Sequence, residues 1–218
     1  MSAPADAAVF AALRSRMVEH QLRGRGIRDE RVLDAMRRVP RHEFTAERYR
    51  DQAYEDHPLP IGEGQTISQP YIVGIMLEAL SLQPTDRVLE VGTGSGYVAA
   101  LLAELAAQVF SVERHRTLAH QAGELLARLG YANVKVMAGD GIEGFREGAP
   151  YNALMVSAGA QEPPPALVRQ LAEGGRMVIP VGPGDSQQLQ LIHLENGRPR
   201  TMLGELCRFV PLVPGTEP

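Results

Sequence analysis

The chain has 218 residues, 44% hydrophobic and 22% charged, with 22 Lys+Arg against 26 Asp+Glu and a formal net charge of −4. That length suits one globular domain with one substantial core, and the composition excludes a disordered chain. The mildly acidic balance provides no global attraction to nucleic acid or anionic membrane, and no run approaches the roughly 18 apolar residues of a membrane span. Cys207 stands alone, so no disulfide framework or thiolate metal cluster can form within the chain, and a reducing compartment fits. No basic region precedes an apolar one at the N-terminus. The expectation is a cytoplasmic monomer that binds neither nucleic acid nor membrane.

Apolar residues recur at helical spacing from Ala7 to Arg23, and Asp29 to Met36 starts a second helix that should end before Pro40. Arg14, Arg16, Arg23, Arg25 and Arg28 could form a basic face, but Glu19, Asp29 and Glu30 favour a balanced, solvated one. A loop rich in proline and glycine, Asp56 to Pro70, precedes a helix over Ile72 to Leu82.

From there strand and helix alternate. Strands are expected at Arg87 to Gly92, Gln108 to Glu113, Val134 to Met137, Asn152 to Ala158 and Arg176 to Val181. Helices are expected at Gly96 to Ala107, Thr117 to Leu129 and Pro165 to Leu171. This order implies an α/β fold, a doubly wound, mostly parallel sheet with an N-terminal helical addition. The segments Gln187 to Leu194 and Glu205 to Val213 alternate with period two and leave no room for a helix between them, so they should pair antiparallel at the sheet edge. One domain over residues 1–218 is expected: N-terminal helices and a loop over 1–83, an α/β core over 84–182 and edge strands over 183–218.

The segment "LEVGTGSGY" sets Gly92, Gly94 and Gly96 between a strand and a helix, where backbone comes close to a ligand. Glu113, ending the next strand, suits a ribose-binding carboxylate. A dinucleotide fingerprint would need a third glycine at position 97, which is Tyr97, and Glu90 would repel a pyrophosphate. S-Adenosylmethionine, with an ammonium, a sulfonium and no phosphate, answers both objections. Asp140 in "AGDG" could accept from an adenine amino group, or simply form a turn.

Together these segments resemble the class I S-adenosylmethionine-dependent methyltransferases, and their order resembles the protein-L-isoaspartate (D-aspartate) O-methyltransferase family. "AYEDHPLPIGEGQTISQP", "RVLEVGTGSGYVAALLAEL", "VFSVER", "GDG", "EGGRMVIPVG" and "RFVPLV" follow that family's order, and "GQTISQP" is specific to it. The resemblance implies methyl transfer to the free α-carboxylate of L-isoaspartyl residues in damaged peptides and proteins. Ser68 would be the active-site residue with Thr66 beside it, both orienting the substrate. Gln65, Ile67, Glu90, Gly92, Gly94, Gly96, Glu113, Asp140 and Gly141 would hold the cofactor, and Val210 to Val213 would line the peptide cleft. Asn152, Phe145 and "VSAGA" (Val156 to Ala160) depart from the family's commoner residues.

Read without the resemblance, Thr66 and Ser68 fit equally an N-cap pair for the helix after Pro70. A methyltransferase of the same fold acting on a small molecule, an RNA or one dedicated peptide shares the cofactor loop. His115 and His120, five apart, would splay on a helix and no His-Glu-x-x-His is present, so no metal site is expected. His57, ahead of Pro58, reads as a loop hydrogen-bonder.

Overall fold

The computed structural model describes residues 4–184 and 186–217. Helix α1 (Pro4–Arg16) passes into a π-helical turn, Met17–Leu22, and a 3-10 turn, Arg23–Arg25, so the helix expected to reach Arg23 changes its winding where Met17, Val18 and Leu22 enter the core. Arg23 pairs with Glu19 and Glu30, and Arg25 with Asp56, which leaves the balanced face rather than a basic one. In α2 (Glu30–Arg38) the Asp29 carboxylate caps the first turn by accepting from the Arg31 N–H at 2.8 Å, and Val32, Leu33, Ala35 and Met36 are buried.

The stretch read as an open loop contains a hairpin. Strand β1 (Leu59–Gly62) pairs antiparallel with β2 (Gln65–Ile67), with Leu59 opposite Ile67 and both buried. The turn runs through Gly62, Glu63 and Gly64, all at positive φ. Helix α3 (Pro70–Leu80) follows with proline at its first position and no side-chain hydrogen bond at its cap residue, Gln69. Thr66 and Ser68 therefore do not cap it.

The parallel strands are β3 (Arg87–Val91), β4 (Gln108–Glu113), β5 (Val134–Ala138), β6 (Tyr151–Val156) and β7 (Leu171–Val181). Strands β8 (Gln187–Glu195) and β9 (Arg198–Cys207) complete the sheet antiparallel, in the order β5-β4-β3-β6-β7-β8-β9. Helix α4 (Tyr97–Leu105) joins β3 to β4, α5 (Arg116–Arg128) joins β4 to β5, and α6 (Pro165–Val168) precedes β7.

Two expected elements are corrected. Helix α6 is a single turn and does not reach Leu171, because Leu171 is already in register with Tyr151 of β6. The last strand is Arg198–Cys207 and not Glu205 to Val213: Asn196 and Gly197, at φ 53° and 70°, form a tight turn that returns the chain at once along β8. Residues 208–213 leave the sheet.

Side chains of the central strands alternate between two cores. Val88, Val109, Ala153, Met155 and Val178 pack with α2, α3 and α4, while Leu89, Val91, Phe110, Leu154 and Val156 pack with Tyr151 and Leu167 on the other face. By the same alternation Glu90 and Ser111 point to the α4 side. The strand order turns at β3, which leads to β4 on one side and lies against β6 on the other, and such a reversal leaves a crevice beyond the strand ends.

Arg176 locks the opposite end of the sheet. Its guanidinium pairs with Asp86 at 2.6 Å and donates to the carbonyls of Leu80, Ser81 and Asn152. Both partners are largely buried, so Arg176→Ala should lower the unfolding free energy by about 3–5 kcal/mol in urea denaturation, by leaving Asp86 unpaired.

Candidate active site

A cavity opens where β3, β4 and β6 end. Past β3 the chain turns through Gly92, Gly94 and Gly96, at φ 93°, 52° and 88°, conformations that side chains disfavour. The turn is held from beneath. The Glu113 carboxylate accepts from the Gly94 N–H at 2.9 Å and from the His115 N–H at 3.0 Å. A Cβ on Gly94 would sit 3.2 Å from Ile61 Cδ1, so the hairpin also presses on this loop.

Gly92, Gly94, Glu113 and Gly141 line the cavity, and the hairpin contributes Gln65, Thr66, Ile67 and Ser68 from above. Gly96 lies just behind, starting α4 against Ala122 and Leu126 of α5. Asp140 is outside the lining: one carboxylate oxygen accepts from the Ile142 N–H at 2.9 Å and the other from the Gly215 N–H at 2.8 Å. It builds a turn and ties down the C-terminal segment. Glu90 is fully buried below the floor.

A second groove adjoins the cavity, lined by Gln69, Ile72, Arg208 and Phe209 among others. The two share Thr66, Ser68, Ser157, Val210 and Pro211. Three hydroxyls thus stand at the junction. Ser157 was not expected there. It follows the end of β6, where its N–H donates to the Val91 carbonyl at 2.8 Å and its Cβ faces Gly92, so its place beside the strand-order reversal was the available signal.

Two further residues escaped the sequence reading. Arg41, fully buried, donates to the carbonyls of Ser68 and Ala53 at 2.8 Å each, and its guanidinium lies 4.9 Å from the Tyr97 ring centroid. Burial pulls its pKa down to about 10, so it stays charged at neutral pH and pins the hairpin's exit. His115 lines the cavity, with Nε2 3.4 Å from the Gln65 amide nitrogen and Nδ1 3.2 Å from Glu217. His57 bonds to the Pro58 carbonyl and to Glu55, both at 3.0 Å, within its loop. Among the described residues no three His, Cys, Asp or Glu side chains cluster as metal ligands.

Residues 13–217 match the family model for protein-L-isoaspartate (D-aspartate) O-methyltransferase. The chain belongs to this family. A protein-L-isoaspartate O-methyltransferase of Koribacter versatilis is 57% identical over 214 residues, 98% of this chain and 96% of that one. One of Methanoculleus marisnigri is 56% identical over 201 residues, covering 92% and 91%. A solved protein-L-isoaspartate O-methyltransferase superposes with a TM-score of 0.82 at 31% identity, over 91% of this chain and 65% of that longer one. A Plasmodium falciparum structure described as such an enzyme in complex with S-adenosyl-L-homocysteine gives 0.81 at 29% identity, over 92% and 98%.

The positions where this member of the O-methyltransferase family departs from the commoner pattern lie mostly away from the cavity. Asn152 accepts from the Arg87 N–H at 2.9 Å, and Phe145 stacks on Phe110 with ring centroids 5.4 Å apart. Ser157 and Ala158 are the exceptions, both in the cavity lining.

Electrostatically, Glu90 is the most perturbed carboxyl beside the site. Desolvation raises its pKa to about 8, the Ser111 hydroxyl opposes this by donating to Oε2 at 2.5 Å, and the Glu113 charge raises it further. Thr93 Oγ1 lies 2.5 Å from Ser111 Oγ, which extends the chain of hydroxyls toward the glycine loop. Since the folded value exceeds the ordinary 4.5, the contribution of Glu90 to stability is fullest below pH 4.5 and is lost as pH rises toward 8. Ligand-free Glu90→Gln should therefore gain on the wild type by about 2–3 kcal/mol between pH 5.5 and 7.5, read from urea midpoints at each pH.

Proposed function

We propose that this chain transfers the methyl group of S-adenosylmethionine to the free α-carboxylate of L-isoaspartyl residues in peptides and proteins, the activity of its family. The observation that carries the reading is the junction of two cavities at Thr66, Ser68 and Ser157, with no base among the three. S-Adenosylmethionine supplies an electrophilic methyl on a sulfonium. A carboxylate with a pKa of about 4 is already ionised at neutral pH, so the site has no proton to remove. The hydroxyls have only to orient it and replace its water, which is catalysis by positioning.

The residues of the first cavity fit the cofactor. Each Glu113 oxygen accepts one backbone N–H and keeps a lone pair for a ribose hydroxyl. The carboxylate at Glu113 suits a cationic ligand and opposes a pyrophosphate, whereas Glu90, buried and mostly protonated at neutral pH beneath the floor, adds little charge. On this reading Gln65, Ile67, Gly92, Gly94 and Gly141 contact the cofactor directly, while Glu90, Gly96 and Asp140 support it from outside the cavity. The second groove would take the peptide. An isoaspartyl residue carries its free carboxylate one methylene nearer the chain than aspartate does, and a groove walled by the main chain of Val210 and Pro211 can sense that difference.

The ester so formed would lose methanol to a succinimide that hydrolyses partly to aspartate, which makes the transfer the first step of protein repair. We extend the reading to one methyltransferase domain acting as a cytoplasmic monomer with no nucleic-acid or membrane partner. At the start of the edge strand β9, Pro199 between two arginines, with the register shift opposite Gln188 to Gln190, interrupts a pairing edge that elsewhere exposes Met202, Leu203 and Leu206. Among the described residues no helix is long and apolar enough to cross a membrane.

Labelled S-adenosylmethionine and two peptides, identical except for L-isoaspartate or L-aspartate at one position, test the reading. Base-labile ester should form on the isoaspartyl peptide, and Ser68→Ala should lower kcat about 100-fold with cofactor affinity little changed. Equal methylation of both peptides, or none while cofactor binds, would overturn it.

A further inference from the structure

Strand β9 ends at Cys207, opposite Gln187 of β8, and the chain then leaves the sheet to form the wall shared by both cavities. A departing strand loses its ladder partners. Here the side chain of Gln187, only 3% exposed, takes over the pairing: Oε1 accepts from the Phe209 N–H at 2.7 Å, and Nε2 donates to the Phe209 carbonyl at 3.4 Å and to the Gly184 carbonyl. One amide thus reads both polar groups of a backbone residue, as a neighbouring strand would.

Beside Gln187, against the same wall, stands Gly159. Its N–H donates to the Val210 carbonyl at 2.8 Å, and its carbonyl accepts from the Leu212 N–H at 2.7 Å. The next residue, Ala160, is bonded to Pro180 and Gly182 at the end of β7, so the wall is fastened through residues 159–160 to the sheet. A Cβ at position 159 would lie 2.7 Å from Gln187 Nε2 and 2.8 Å from Cδ. A side chain at residue 159 would require the Gln187 amide to shift from the place where it meets Phe209.

We infer that Gln187 and Gly159 together form a positioning clamp that sets the wall of the acceptor groove, and with it the fit of the peptide substrate. The glycine at position 159 and the buried glutamine are then one device. The inference rests on the second groove being the acceptor site. Neither residue touches the reacting atoms: Gln187 acts through Phe209, and the effect is delivered by Val210 and Pro211.

Gln187→Ala should raise the KM for an isoaspartyl peptide about tenfold, as expected for loss of a buried hydrogen-bonded amide, while the calorimetric Kd for S-adenosylmethionine shifts less than about threefold. Gly159→Ala should raise the peptide KM in the same direction. Combined, the two should be no worse than Gln187→Ala alone, because a Cβ at 159 has nothing left to displace. Independently of activity, amide hydrogen exchange at Phe209 should accelerate at least about tenfold in Gln187→Ala, with β3 and β4 unchanged. Additive effects in the double variant, an equal loss of cofactor affinity, or unchanged exchange at Phe209 would overturn the clamp. A wild-type protein that binds cofactor but methylates no isoaspartyl peptide would instead overturn the functional reading, and the exchange result would still decide whether the clamp exists.

Discussion

The site depends on one constraint of the sheet: its order turns at β3, so β4 and β6 leave the same strand in opposite directions and nothing in the sheet closes the gap above their ends. The floor is built by three neighbouring strand ends, each giving a different group. Strand β3 gives backbone at positive φ, β4 gives the Glu113 carboxylate, and β6 leads to the Ser157 hydroxyl. A floor of this kind can hold a ligand but cannot enclose one. Enclosure has to come from chain outside the strand and helix repeat, and here it comes from both ends: the hairpin β1–β2 and the segment after β9.

Those two roofs are fastened in physically different ways. The hairpin exit is held by a single buried cation, Arg41, whose guanidinium binds two carbonyls separated from it by 12 and 27 residues. A charge so deep is tolerated because carbonyl dipoles and the face of Tyr97 replace its hydration. The C-terminal segment is held by several weaker ties: neutral hydrogen bonds from Gln187 and Gly159, a charge-assisted one from the Gly215 N–H to the Asp140 carboxylate, and the Arg114–Glu217 ion pair. Between the roofs lies His115, which bonds to Gln65 on one side and Glu217 on the other. The two cavities therefore share a wall, since the same five residues border both.

Where the chain repeats strand, turn and helix in short order, the fold was legible. The glycine loop, Glu113 and the alternation from β3 to β6 lie within contiguous stretches whose period and turn residues report directly on structure. The antiparallel edge was foreseen, but its last strand was misplaced because the alternation of Glu205 to Val213 outweighed the Asn196-Gly197 turn, the stronger hairpin signal. The hairpin over 59–67 was hidden by strands of four and three residues, too short to show a period. Arg41 and Gln187 were illegible for a different reason. Arg41 reaches the Ser68 carbonyl across 27 residues and Gln187 the Phe209 N–H across 22, and main-chain partners leave no trace in side-chain patterning.

That last point follows from the chemistry. An acceptor that is ionised before it binds calls for no general base, so the site does not need the base or metal constellation whose residue types would announce it in a sequence. The remaining task is to bring a carboxylate and a methyl group into line and to hold them there, and positioning is sensitive to displacements of an ångström. Side chains that merely hold backbone in place then matter as much as those that touch substrate. The hydroxyls of Thr66 and Ser68 owe their placement to the hairpin and its exit, which Arg41 pins at the Ser68 carbonyl. Hence the conspicuous chemistry of this protein sits not at the reacting centre but one layer out, in a buried arginine, a buried glutamine and a protonated glutamate. In a site that works by alignment, the unusual electrostatics belong to the frame.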